Sequence, residues 1–122
     1  MGVKSPRALE VECEDSIIAH AERFGWRVHA ERTSHRPGGK FETAIKGSKG
    51  YPDLTMIHPK VGLVVVELKR APNKVEPEQE VWLQAFVDAD VRTAVWWVPE
   101  QLPAIYRYLI DPVGQPMPGR LS

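Results

Sequence analysis

The apolar positions of the chain fall into blocks of two different periods. Between residues 7 and 24, Leu9, Cys13, Ile17, Ala21 and Phe24 recur every three to four positions with Ile18 beside them. That is the spacing of one face of an amphipathic helix. Ser5 stands where an N-cap belongs, Pro6 suits the first turn, and Gly25 closes the helix. The period then shortens to two, and Trp26, Val28 and Ala30 share one side of a short strand. Further strands are predicted at "DLTMIH" and "LVVVELK", paired as a hairpin through the turn His58, Pro59, Lys60, Val61 and Gly62. After "APNKVEP" breaks the pattern, Val81, Leu83, Gln84, Phe86 and Val87, with Trp82 beside them, predict a helix with Pro77 in its first turn. "VRTAVWWV" is nearly all apolar, as in a strand covered on both faces. "EQLPAIYRYLI" reads as a short final helix.

This order predicts one α/β domain, a central sheet with helices on its faces, over residues 1–110. Residues 111–122 hold Pro112, Pro116 and Pro118 and read as an irregular or disordered tail. The polar, glycine-rich stretch 32–50 carries Arg32, Arg36, Lys40, Lys46 and Lys49 against the single acid Glu42. A loop of that length in a compact domain is functional or disordered. Residues 40–47 within it are expected to form a strand.

Composition narrows the function classes. Sixteen basic and sixteen acidic residues give a formal net charge of zero, so the chain is not a protein that coats nucleic acid by bulk charge. Any nucleic-acid contact has to come from a local patch. There is no apolar run of about 18 residues to span a membrane, and the N-terminus lacks the apolar core of a secretory signal. Gly2 and Ser5 match a myristoylation pattern only loosely and are attributed to chance. The single cysteine, Cys13, excludes an internal disulfide and fits a reducing, cytoplasmic setting; it reads as a small buried residue. His20, His29, His35 and His58 show no zinc spacing. Trp26, Trp82, Trp96 and Trp97 read as core or dimer-interface residues rather than base-stacking ones.

Chemistry concentrates at the end of "VVVELK". Side chains alternate along a strand, so Val64, Val66 and Leu68 share one face, and Val65, Glu67 and Lys69 the other. An isolated buried charge is very costly, so Glu67 and Lys69 must be paired, solvated or bound to a cation. With Lys60 at the centre of the turn, Asp53 lies seven residues before it and Glu67 seven after it. The hairpin therefore brings Asp53, Glu67 and Lys69 to one end. Two converging carboxylates repel unless a divalent cation lies between them, and hard oxygen ligands suit Mg²⁺ or Mn²⁺. The plain alternative is a Glu67–Lys69 ion pair at a strand end.

These residues carry a resemblance. "GYPDL", "VVVELKRA" and "EPEQEVWLQAF" together resemble the VRR-NUC (virus-type replication-repair nuclease) domains of the PD-(D/E)xK nuclease superfamily. Pro52-Asp53 and Glu67-Leu68-Lys69 match the superfamily pattern. Gly50, Gln79 and Trp82-Leu83 match what the VRR-NUC members add, over about residues 14–98. The resemblance implies a restriction-endonuclease-like core, a mixed central β-sheet of about four strands flanked by helices. It implies a Mg²⁺-dependent DNA endonuclease, with Mn²⁺ substituting, and catalytic residues Asp53, Glu67, Lys69 and Gln79. It implies a metal held by Asp53 and Glu67 with a glutamate of the first helix, best matched by Glu14, although Glu10, Glu12 and Asp15 lie near enough to shift the assignment. It implies a homodimer acting on branched DNA such as four-way junctions, an enzyme of phage or prophage type. Arg36, Lys40, Lys46 and Lys49 would then grip phosphates, with Lys60, Arg70 and Lys74 extending the track. Other nuclease specificities (flap, nicking or restriction-like) and a non-catalytic DNA-binding module with the same fold stand as alternatives. The segment of any dimer contact is not given, with the C-terminal segment and Trp96-Trp97 as suspects.

Overall fold

The computed structural model describes residues 5–31 and 46–121. Among the described residues seven elements follow one another in chain order: α1 (Pro6–Arg23), β1 (Arg27–Ala30), β2 (Leu54–His58), β3 (Gly62–Lys69), α2 (Pro77–Asp88), β4 (Arg92–Trp97) and α3 (Leu102–Ile110). The elements expected within the described residues are present, with ends within about two residues. The strand expected over 40–47 lies for the most part outside the described residues.

Among the described residues the strands form one four-stranded sheet in the order β1-β2-β3-β4. β1 pairs antiparallel with β2, β2 antiparallel with β3, and β3 parallel with β4. The parallel pair is possible because α2 carries the chain back across the sheet. The result is the mixed α/β sheet that the sequence predicts.

Side-chain alternation sorts the sheet into two faces. Leu54, Met56, Val64, Val66, Leu68, Ala94 and Trp96 are buried on one face in a core they share with Ile17 and Ala21 of α1 and Ile105 and Leu109 of α3. On the other face Leu83 of α2 is buried, and with Val87 and with Val95 of β4 it lines a shallow cleft. α1 starts at Ser5, whose hydroxyl accepts a hydrogen bond from the Ala8 N–H at 3.1 Å.

Three details depart from the apolar pattern of the sequence. Phe24 is exposed because it is the C-cap of α1 rather than part of its stripe. Val81 is 70% exposed and Gln84 is exposed, since α2 turns its 79, 82, 83, 86 and 87 side inwards. The tail is irregular but packed, not disordered. Met117 is buried, the Trp96 indole donates to the Pro118 carbonyl at 2.8 Å, and Ala94 bridges Arg120 along the outer edge of β4. Trp96 is itself 0% exposed, so it has no surface to offer a second subunit.

The hairpin turn is held by a histidine. His58 is buried, and its Nδ1 accepts from the Lys60 N–H at 3.1 Å. The proton therefore sits on Nε2, which donates to the Phe24 carbonyl at 3.2 Å. One imidazole thus ties the turn to the end of α1.

Candidate active site

The register of the hairpin decides where the acids stand. The pairing runs Leu54↔Val66, Thr55↔Val65, Met56↔Val64, Ile57↔Leu63 and His58↔Gly62. The next rung of that ladder is Asp53 with Glu67, the pair expected from the count about Lys60. β2 ends at Leu54, however, so the Leu68 N–H has no backbone partner there. Asp53 supplies one, its Oδ2 accepting from Leu68 N at 2.8 Å. Asp53 thus closes the last rung and is fixed in place by it.

Glu67 is 1% exposed, a carboxyl group almost wholly removed from water. Burial first, then a hydrogen bond with Asp53 and the charge of Asp53, pushes its pKa up to about 10. Lys69 pulls the other way, and Glu10 of α1 adds to the upward push. One oxygen, Oε2, is buried with no hydrogen-bond partner among the described residues. A buried acceptor left unmet is costly. Glu67 thus sits beside Asp53 with one buried oxygen unmet and an ammonium nearby. This is the environment in which a cation would replace the proton, and the donors are hard oxygens. Among the described residues no group of three His, Cys, Asp or Glu side chains converges as metal ligands. The structure therefore brings together two carboxylates, not the three of the expected set. On α1, Glu10 is an acid whose charge reaches Glu67, and Glu14 lies one turn further along the same half-buried side.

Lys69 ends β3, half-buried, with its carbonyl accepting from the Val98 N–H at 2.8 Å. Gln79 takes the structural part of a polar residue in a helix's first turn. Its Oε1 accepts from the Glu76 N–H at 2.8 Å and so closes the first turn of α2. Gly50 is the companion of that turn. Its φ is +95°, and a Cβ added there would lie 2.6 Å from the Glu78 carbonyl carbon and 2.9 Å from the Gln79 nitrogen. The glycine before Pro52-Asp53 thus lets the lead-in to the acid pass directly against α2. Tyr51 braces the same approach, its ring 5.0 Å from Trp82 and 5.9 Å from Phe86, with its hydroxyl on Thr55 at 2.8 Å.

The basic residues divide. Lys46, Lys49 and Lys74 are exposed. Arg70 is half-buried, with its Nε unpartnered among the described residues and its charge felt by Cys13 of α1. Lys60 is exposed at the hairpin turn, the far end of β3 from Glu67, so it does not extend a track at the acids. Arg36 and Lys40 lie outside the described residues. Cys13 is half-buried, and burial, followed by the charge of Glu12, raises its thiol pKa.

Comparison with known proteins matches this frame. Residues 31–99, which include Gly50, Asp53, Glu67, Lys69 and Gln79, match the family model for the VRR-NUC domain. A solved structure described as a VRR_NUC domain superposes with a TM-score of 0.57 at 21% identity, covering 81% of this chain and 95% of that one. No curated protein matches. With the family model spanning more than half of the chain, the protein belongs to the VRR-NUC domain family.

Proposed function

We propose that the protein is a metal-dependent endonuclease that hydrolyses phosphodiester bonds in branched DNA, four-way junctions included, as a homodimer. The observation that carries this reading is the buried Asp53–Glu67 pair with its unmet oxygen and Lys69 alongside. A carboxyl pair of this kind has no use in a passive surface, where exposed acids cost nothing.

Asp53 and Glu67 would hold Mg²⁺ or Mn²⁺, with an acid of α1, Glu14 or Glu10 one turn before it, completing the set. Such an ion lowers the pKa of a bound water from about 15.7 and stabilises charge on a phosphate oxygen. Asp53 contributes a fixed position, because the Leu68 N–H holds one of its oxygens. Glu67 contributes a charge that its dry surroundings would otherwise suppress. Lys69 orients the attacking water or neutralises the charge that develops on the pentavalent phosphate. Gln79 acts as a positioning residue through the first turn of α2. Lys46, Lys49 and Lys74, with Arg36 and Lys40, would contact phosphates on the same strand. Selectivity for junctions and the two-fold assembly rest on the family resemblance. In a two-fold dimer each of two symmetric strands would meet its own site.

The test is a labelled four-way junction, flap, linear duplex and single strand, each incubated with Mg²⁺ and with EDTA. Paired symmetric nicks in the junction, abolished by EDTA, are expected. Binding without cleavage of any substrate would favour a non-catalytic module, and cutting of the flap alone would move the specificity elsewhere.

A further inference from the structure

A second cluster of polar groups lies away from the acids, between the hairpin turn, β4, α3 and the tail. Here a cleft of about 260 Å³ is lined by Lys60, Arg92, Tyr108, Gln115, Met117 and Arg120, among others. That volume is below the roughly 300–1,000 Å³ of sites that enclose drug-sized molecules. Three of the lining residues are cations, and no acid lines the cleft among the described residues.

Tyr108 makes this a built site rather than a basic patch. The residue is 2% exposed, lines the cleft, and its hydroxyl is buried without a hydrogen bond among the described residues. Arg92 and Arg120 both bring positive charge to the phenol, with Arg92 at the edge of hydrogen-bonding reach. Burial nonetheless raises the pKa of Tyr108, so its O–H keeps its proton. Guanidinium groups have no acceptor to give that proton. An oxyanion in the cleft would take that O–H while accepting from Arg92 and Lys60.

The tail holds one wall of the cleft rigidly. The Val95 N–H donates to the Gly119 carbonyl at 3.1 Å and the Leu121 N–H to the Thr93 carbonyl at 2.9 Å, so Arg120 is pinned from both sides. Arg92 opens β4, beside Val64 of β3, and Glu67 lies three residues further along that strand.

We propose that this cleft is a phosphate-binding site, separate from the candidate active site, with Arg92, Arg120, Lys60 and the Tyr108 hydroxyl as its ligands. The phosphate belongs either to a nucleic-acid backbone or to a free phosphate species.

The experiment compares the whole chain with Arg92→Gln and Tyr108→Phe. Tyr108→Phe removes an unsatisfied buried hydroxyl and is expected to fold as well as the parent. Inorganic phosphate, titrated by calorimetry and by thermal shift against chloride of equal ionic strength, should bind the parent and bind each variant at least about tenfold more weakly. In a second arm a short DNA duplex is bound in EDTA at several salt concentrations. If a backbone phosphate is the occupant, Arg92→Gln lowers affinity and reduces the slope of log K against log salt by about one. If a free phosphate is the occupant, DNA affinity and slope stay unchanged while phosphate binding falls. Phosphate that stabilises the parent no better than chloride, with an unchanged DNA slope in both variants, overturns the proposal. So does equal phosphate binding by all three proteins.

Discussion

Gly50 stands against Glu78 with no room for a side chain: an added Cβ would come within 2.7 Å of the Glu78 carbonyl oxygen. The positive φ of Gly50 adds a second obstacle to any other residue. Gly50→Ala is therefore expected to push the lead-in to Asp53 off the first turn of α2. A loss of about 1–3 kcal/mol in urea denaturation, with weakened cleavage, is the outcome. Full stability in the alanine variant would mean the two segments do not pack this tightly.

Glu67 makes the metal-free protein sensitive to alkali. Below pH about 4.5 the carboxyl holds its proton folded and unfolded alike. Between that value and about 10 the unfolded chain ionises and the folded chain does not, so stability falls as pH rises. The slope is at most about 1.4 kcal/mol per pH unit from this one group. Glu67→Gln should flatten the profile and, at neutral pH in EDTA, raise stability. Parallel stability–pH curves for the two proteins would show that Glu67 is not held protonated.

A divalent ion should reverse that sensitivity. Mg²⁺ that displaces the Glu67 proton raises the thermal midpoint, and more so at higher pH. Asp53→Asn and Glu67→Gln should each abolish the rise. Scanning calorimetry in Mg²⁺ and EDTA at two pH values checks this, and a rise of equal size in Asp53→Asn would place the ion elsewhere.

Lys69→Ala should separate chemistry from binding. Cleavage is expected to fall by roughly 10²–10³ or more while DNA affinity in EDTA stays within about twofold, since one preorganised charge acts mainly on the transition state. An active Lys69→Ala would remove this ammonium from the mechanism.

The tail contributes to the folded domain. Deleting residues 112–122 would uncover the edge of β4, strip the Trp96 indole of its acceptor and expose the place of Met117. A loss of about 3 kcal/mol or more is expected, from one buried methionine and several hydrogen bonds. Equal denaturation midpoints for the full and shortened chains would contradict that packing.

Much of this was legible in the chain. Strand alternation put Glu67 and Lys69 on one face, and the count about Lys60 gave the register that sets Asp53 beside Glu67. Those are local rules with fixed periods, and they carried over. What the sequence concealed depends on contacts between segments far apart. Pro77 in the first turn already puts Gln79 at a capping position, but nothing announces that Gly50 must be bare because Glu78 lies across from it. The rotation that exposes Val81 is set by what α2 leans on, not by its own composition. The tail's prolines signalled an absence of regular structure, which is correct, but irregular backbone can still bury a methionine and satisfy an indole.

The carboxyl pair is the terminal rung of a ladder that begins at His58↔Gly62. A ladder fixes distance by counting, so the spacing between the acids is written into the length of the connection as firmly as into the acids themselves. Inserting or deleting a single residue at the bend, roughly 17 Å from Glu67 along β3, would turn that carboxyl to the opposite side of the sheet. The length of the bend is therefore as much a part of the site as the acids it brings together.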